Sequence, residues 1–67
     1  MMKIKLNGEI KEVEAGITIQ SLLDSLSIKV HGIAIDVNRE IVPKRLFGTT
    51  ALRDGDAVEI VRMVGGG

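Results

Sequence analysis

The chain has no cysteine, which excludes a disulfide framework and any thiolate metal site. It has a single histidine, His31, so a multi-histidine metal centre is excluded as well. It has no excess charge of either sign: nine Lys and Arg offset nine Asp and Glu. Divided after Gly32, the halves balance again, four against four and then five against five. A nucleic-acid binder normally carries a basic bias, so no nucleic-acid partner is expected. No apolar run approaches the roughly 20 residues of a membrane span, so no membrane partner is expected either. The opening Met1 to Leu6 alternates and lacks the apolar core of a signal peptide. The expectation is a soluble, cytoplasmic single domain. What the chain does have is aliphatic residues: nine Ile, seven Val and six Leu among 67 positions. That supports one compact core, although the length is near the lower limit for unaided folding.

Met2-Lys3-Ile4-Lys5-Leu6 alternates with period two and predicts a strand with Met2, Ile4 and Leu6 inward. Asn7-Gly8 is a strong hairpin signal, because a type I′ turn needs positive φ at both central positions. Residues 9–13 form the return strand. A two-residue turn pairs Lys3 with Glu12 and Met2 with Val13, which sends Ile10 outward beside Lys5. Ile10 and Val13 are then compatible only with a bulge or an exposed Ile10. Thr18 is a suitable N-cap, and Ile17 and Leu22 have hydrophobic-staple spacing. Ile19, Leu22, Leu23 and Leu26 make one apolar stripe, predicting a helix over 19–27. Ile33, Ile35 and Val37 alternate in a strand opened by Gly32. Asn38-Arg39 is a turn, and Glu40-Ile41-Val42 a short strand stopped by Pro43. Residues 44–50 read least clearly, as one helical turn around Leu46 and Phe47. Asp54-Gly55-Asp56 is a tight turn. Residues 57–63 form the last strand, with Val58 and Ile60 inward and Val61 and Met63 outward.

This order predicts an α+β fold: a mixed sheet of four or five strands with one helix across one face. If the first and last strands lie side by side, the arrangement is a β-grasp. The expected core is Met2, Ile4, Leu6, Leu22, Leu23, Leu26, Ile35, Val58 and Ile60. Residues 1–67 are expected to form one domain, with a flexible tail over 64–67.

The side chains do not assemble a catalytic constellation. The chain contains neither HExxH, nor GxxxxGK[ST], nor GxGxxG after a strand. Ser21, Ser25 and Ser27 lie on or beside the helix without a nearby base. His31 reads as a loop residue, and Asp54 and Asp56 as a solvated turn rather than a metal site. Lys3, Lys5 and Lys11 interleave with Glu9, Glu12 and Glu14, which describes a solvated sheet face. No catalytic residue and no metal ligand are assigned. The outward Val61 and Met63, with Val64, suggest a partner-docking patch, against cover by residues 44–50 or a simple scatter of exposed apolar residues.

The unusual feature is Gly65-Gly66-Gly67 after the last strand. Glycines here stabilise no structure and carry the largest ordering entropy. Lacking Cβ atoms, Gly65 and Gly66 suit a tail that threads a channel too narrow for side chains. Residues 63–67, extended, reach roughly 16–18 Å, enough to enter an enzyme while the body docks outside. On this reading Gly67 presents its carboxylate to a partner. A carboxylate is a poor electrophile, so activation by ATP is required before acyl chemistry.

At this point the chain resembles the sulfur-carrier family of bacterial thiazole (thiamine) biosynthesis, whose members are ubiquitin-like β-grasp proteins. The resemblance runs the whole length. It rests on Ile4-Lys5-Leu6-Asn7-Gly8, Ala15-Gly16-Ile17-Thr18-Ile19 and Leu22-Leu23. It rests further on Val37-Asn38-Arg39-Glu40-Ile41-Val42-Pro43, Asp54-Gly55-Asp56 and the closing Gly66-Gly67. It implies that the chain is not an enzyme but a protein substrate. A ubiquitin-activating-type adenylating enzyme, using ATP and Mg²⁺, would convert the Gly67 carboxylate to an acyl-adenylate. A cysteine desulfurase would supply sulfur for a Gly67 thiocarboxylate, and thiazole synthase would take that sulfur. No cofactor is bound by the chain itself. Related carriers serve molybdopterin synthesis, tRNA thiolation and cysteine synthesis. The molybdopterin carriers have aromatics near the tail, whereas Phe47 is the sole aromatic here. A ubiquitin-like interaction module with a chemically inert tail is the reading of a different class.

Overall fold

Asn7 and Gly8 decide the first hairpin. The computed structural model describes residues 1–63, and in it both take positive φ, 48° and 87°. A type I′ turn matches the right-handed twist of the strands it joins. It connects β1 (Met2–Leu6) to β2 (Glu9–Val13), in register from Leu6↔Glu9 to Met2↔Val13. The register runs without a bulge. Positions three apart on a strand face opposite ways, so Ile10 and Val13 cannot both be inside. Val13 is buried, and Ile10 points out beside Lys5 with 65% of its surface exposed.

The helix α1 spans Ile19–Ser25 and begins where Thr18 caps it. The Ser21 amide donates to Thr18 Oγ1 at 3.1 Å, satisfying one orphan donor of the first turn. Ile19, Leu22 and Leu23 are fully buried, while Leu26 is half-buried. The helix stops two residues short of the predicted end at 27, and Ser27 is the cause. Its φ of 58° is left-handed. The Ser27 amide donates to the Asp24 carbonyl at 3.1 Å, and the Ile28 amide to the Leu23 carbonyl at 2.9 Å. Those two bonds are a Schellman closure, usually built on glycine. A serine in the glycine position hid the stop.

β3 (Ile33–Val37) turns through Asn38 and Arg39, again with φ positive at both, into β4 (Glu40–Ile41). A 3-10 turn, Lys44–Leu46, follows Pro43. The segment after it carries the part of the core that periodicity did not reveal. Phe47 is 1% and Leu52 2% exposed. Its carbonyls also serve the helix start. The Ile19 amide donates to Thr50 at 3.1 Å and the Gln20 amide to Phe47 at 2.9 Å.

β5 (Ala57–Arg62) lies in the middle of a five-stranded sheet of order β2-β1-β5-β3-β4. It runs parallel to β1 and antiparallel to β3. The arrangement is the β-grasp, mixed and five-stranded, as predicted. Met2, Ile4, Leu22, Leu23, Ile35 and Val58 are buried as expected. Leu6, Leu26 and Ile60 are only partly buried and form the rim of the core, which Val13, Ile19, Ile33, Phe47 and Leu52 complete.

Leu23 has no solvent exposure and lies under the centre of the helix. Leu23→Ala is expected to cost about 2–5 kcal/mol, read from urea denaturation. A loss below about 1 kcal/mol would show that the helix is not packed as described.

Candidate functional site: the outgoing strand and the open face

β1 and β5 share only two paired positions, Lys5↔Ala57 and Leu6↔Val58. Side chains extend this short parallel ladder at both ends. At the outgoing end, the Ile60 amide donates to Asn7 Oδ1 at 2.8 Å, and Asn7 Nδ2 donates to the Ile60 carbonyl at 3.5 Å. The carboxamide of Asn7 thus stands in for the peptide that β1 no longer supplies. On the other side β3 accompanies β5 to Ile33↔Arg62, and the Met63 amide donates to the Gly32 carbonyl at 2.8 Å. The last strand is therefore held from both sides as far as Ile60, and from the β3 side alone through Met63.

At the incoming end the aspartates do the equivalent work. The Lys3 amide donates to Asp54 Oδ1 at 2.8 Å, and the Gly55 amide to the Lys3 carbonyl at 2.7 Å. Asp56 accepts from the Arg53 amide at 2.8 Å and from Asn38 Nδ2 at 3.0 Å. These carboxylates tie the turn to β1 and to the second hairpin. Their bonds make them structural acceptors, a more specific role than the solvated turn read from sequence. Among the described residues, no group of three or more His, Cys, Asp or Glu is placed to hold a metal ion. Ser21 and Ser27 serve the two helix ends, and Ser25 Oγ donates to the Leu22 carbonyl at 2.7 Å. His31 lies in the exposed turn before β3.

The helix covers one sheet face; the other is open. Outward positions there include Lys3, Lys5, Ile10, Ala34, Asp36, Ile41, Glu59 and Val61, as strand parity and register require. Val61 and Met63, the predicted docking residues, are 52% and 64% exposed. Cover by the 44–50 segment is ruled out for Val61, since that segment bonds to the helix start on the other face. Ile41, 77% exposed, joins this surface through its pairing with Asp36. Its place was hidden because a two-residue strand shows no alternation. The remaining predicted site residues, Val64, Gly65, Gly66 and Gly67, lie outside the described residues. Among the described residues no helix is long and apolar enough to cross a membrane.

Comparison with known proteins agrees with this geometry. The model of the ThiS family matches residues 4–67. The chain is 41% identical over 66 residues to a thiazole synthase of Paramagnetospirillum magneticum, covering 98% of this chain and 20% of that protein. It therefore spans about one fifth of the length of the thiazole synthases it matches. It is 37% identical to the sulfur carrier protein ThiS of Bacillus subtilis, with 96% of this chain and 98% of that one covered. The crystal structure of the thiamine biosynthesis protein (ThiS) of Geobacter metallireducens superposes with a TM-score of 0.88. It is 29% identical and covers 98% of this chain and all of that one.

The Asn7 bridge is testable apart from the turn. Asn7→Gly keeps the positive φ but removes both side-chain bonds. It is expected to lower stability by about 1–2 kcal/mol. By hydrogen exchange the Ile60 amide should open faster while amides of β3 keep their protection. Unchanged exchange at Ile60 would show that the carboxamide does not hold the strand.

Proposed function

The chain belongs to the ThiS family, and from that premise we propose that it carries sulfur for thiamine biosynthesis on the carboxyl group of Gly67. The observation that carries this reading is a family match continuous with Gly65-Gly66-Gly67, which follow the central strand in sequence. In this role the domain is a substrate of other enzymes. An adenylating enzyme of the ubiquitin-activating type holds ATP and Mg²⁺. A Gly67 carboxylate oxygen attacks the α-phosphorus of ATP, and pyrophosphate leaves. A persulfide sulfur, from a cysteine desulfurase, attacks the acyl carbon and AMP leaves. A thiol then cleaves the resulting acyl disulfide, forming its own disulfide and freeing the thiocarboxylate. Thiazole synthase is the acceptor, and the long relatives bearing that name support this choice.

Each part of the domain has a task in this scheme. The sheet fixes the line along which β5 leaves. Residues 65–67 lack Cβ atoms and pass a narrow channel. Val61, Met63 and Val64 contribute to docking on the adenylating enzyme, whose chemistry needs the reacting atoms about 3–3.5 Å apart.

Removing Gly67 shortens the tail by roughly 3.3–3.6 Å, which is as large as that whole distance. The variant lacking Gly67, and Gly66→Val, are expected to abolish pyrophosphate exchange by the cognate adenylating enzyme while the fold persists by circular dichroism. Exchange at the wild-type rate without Gly67 would sink the carrier reading in favour of an inert interaction module. In wild type exposed to the sulfur-loading system, mass spectrometry should show about +16 Da, the difference of replacing oxygen by sulfur.

Docking is tested separately. Val61→Asp should weaken binding to that enzyme at least tenfold with little change in Tm, because Val61 is half exposed and outside the core. Unchanged affinity would place the docking face elsewhere.

A further inference from the structure

The two edges of the sheet are unlike. The order β2-β1-β5-β3-β4 leaves β2 and β4 outermost. An outermost strand presents unpaired amides and carbonyls, and proteins blunt such edges by shortness, proline, a bulge or cover. β4 has two residues, and Pro43 follows it closely. β2 has five residues, no proline, and a register with β1 free of bulges. Among the described residues, β1 is its only strand partner.

The hydrogen bonds of β1 identify which groups of β2 are free. The Lys3 amide donates to Asp54 Oδ1 and the Lys5 amide to the Asp56 carbonyl, both on the β5 side. Opposed residues in an antiparallel pair either bond each other or both turn away, in alternation. Lys3 and Lys5 turn away from β2. Their partners Glu12 and Ile10 therefore turn amide and carbonyl to the open edge, and Ile10 exposes 65% of its surface as well.

A second copy of this edge complements it in one register. An axis between residues would set a group facing the edge against one turned away, which cannot bond. An axis at Glu9, Lys11 or Glu12 sets that residue against itself, and like charges directly opposite are destabilising. With the axis at Ile10, Ile10 meets Ile10 and the two exchange both backbone bonds. Glu9 of each copy then meets Lys11 of the other, and Glu12 comes opposite Gly8, which has no side chain to obstruct it. Lys11 lies on the helix side of the sheet, opposite Ile4. An inward charge there ordinarily hinders edge pairing, and an opposing Glu9 neutralises it.

We propose that β2 pairs with β2 of a second copy of this chain, antiparallel about Ile10, in a weak two-fold dimer that joins the two sheets. The contact covers Ile10, which the hairpin itself leaves exposed. β1 lies between β2 and β5, so Val61 and Met63 stay exposed in the dimer and the carrier role is not blocked.

Sedimentation equilibrium of the full chain tests this. Its mass should shift from monomer towards dimer between about 10 µM and 1 mM, as suits an interface below standard size. Lys11→Glu or Glu9→Lys alone should raise the dimer Kd about tenfold, because two symmetry-related pairs turn from attraction to repulsion together. The double variant Glu9→Lys/Lys11→Glu should recover the wild-type Kd. Lys29→Glu, exposed and outside β2, changes net charge as Lys11→Glu does and should leave Kd within twofold. Circular dichroism checks that each variant is folded. On dimer formation the amides of Ile10 and Glu12 should gain protection from hydrogen exchange. A chain that stays monomeric across that concentration range overturns the proposal. So does a dimer that both single variants leave within twofold of wild type, or that the double variant fails to recover. A dimer whose Ile10 and Glu12 amides stay unprotected also overturns it and assigns the contact to another face.

Discussion

The parallel pairing of β1 with β5 is the constraint on which the rest depends. It joins the first strand to the last across more than fifty residues, and loop-closure entropy opposes that contact more than any local one. Only two residue pairs make it directly. The structure reinforces it with groups that cost little additional ordering. Asn7 and Asp54 sit in turns whose backbones are already fixed, and their side chains reach across to Ile60 and Lys3. Turn residues chosen for their φ or Asx chemistry thereby serve as sheet partners. The same pairing makes β5 an interior strand of the sheet.

A small domain has little core to spare, and here the irregular segment makes up part of the deficit. Phe47 and Leu52 lie under the helix although no regular element contains either. The same segment accepts hydrogen bonds from the first turn of a seven-residue helix. An isolated helix of that length is not stable in water, so its order is borrowed from the sheet below and this segment beside it. Helix, segment and sheet consequently fold as one unit.

Much of this was legible because its signals are local. Asn7-Gly8, Asn38-Arg39 and Thr18 each specify a turn or cap through the conformation of one or two residues. Strand parity then separated Val58 and Ile60 from Val61 and Met63 correctly. What escaped the sequence was set by tertiary contact or by an atypical residue. Ser27 ended the helix where glycine is usual, so the predicted helix ran on to 27. Phe47 and Leu52 have no periodic neighbours to announce their burial. Ile41 belongs to a strand too short to alternate. The pairing of Asp36 with Glu59 depends on the register between β3 and β5, which neither strand encodes alone. Of the candidate site, the outward residues of the last strand could be read from parity, whereas their neighbours across the sheet needed the assembled register.

Parity along β5 also keeps two sets of side chains apart on one strand. Val58 and Ile60 face the helix, Val58 buried and Ile60 at the rim; Glu59, Val61 and Met63 face outward and lie outside the core. A residue that belonged to both sets would tie recognition to folding, and a change in partner would then destabilise the domain. Alternation avoids that coupling, because adjacent side chains on a strand point to opposite faces. The outward set still stays rigid, since its backbone is paired with β3 throughout β5 from Val58 onward. A rigid platform reduces the ordering cost of association.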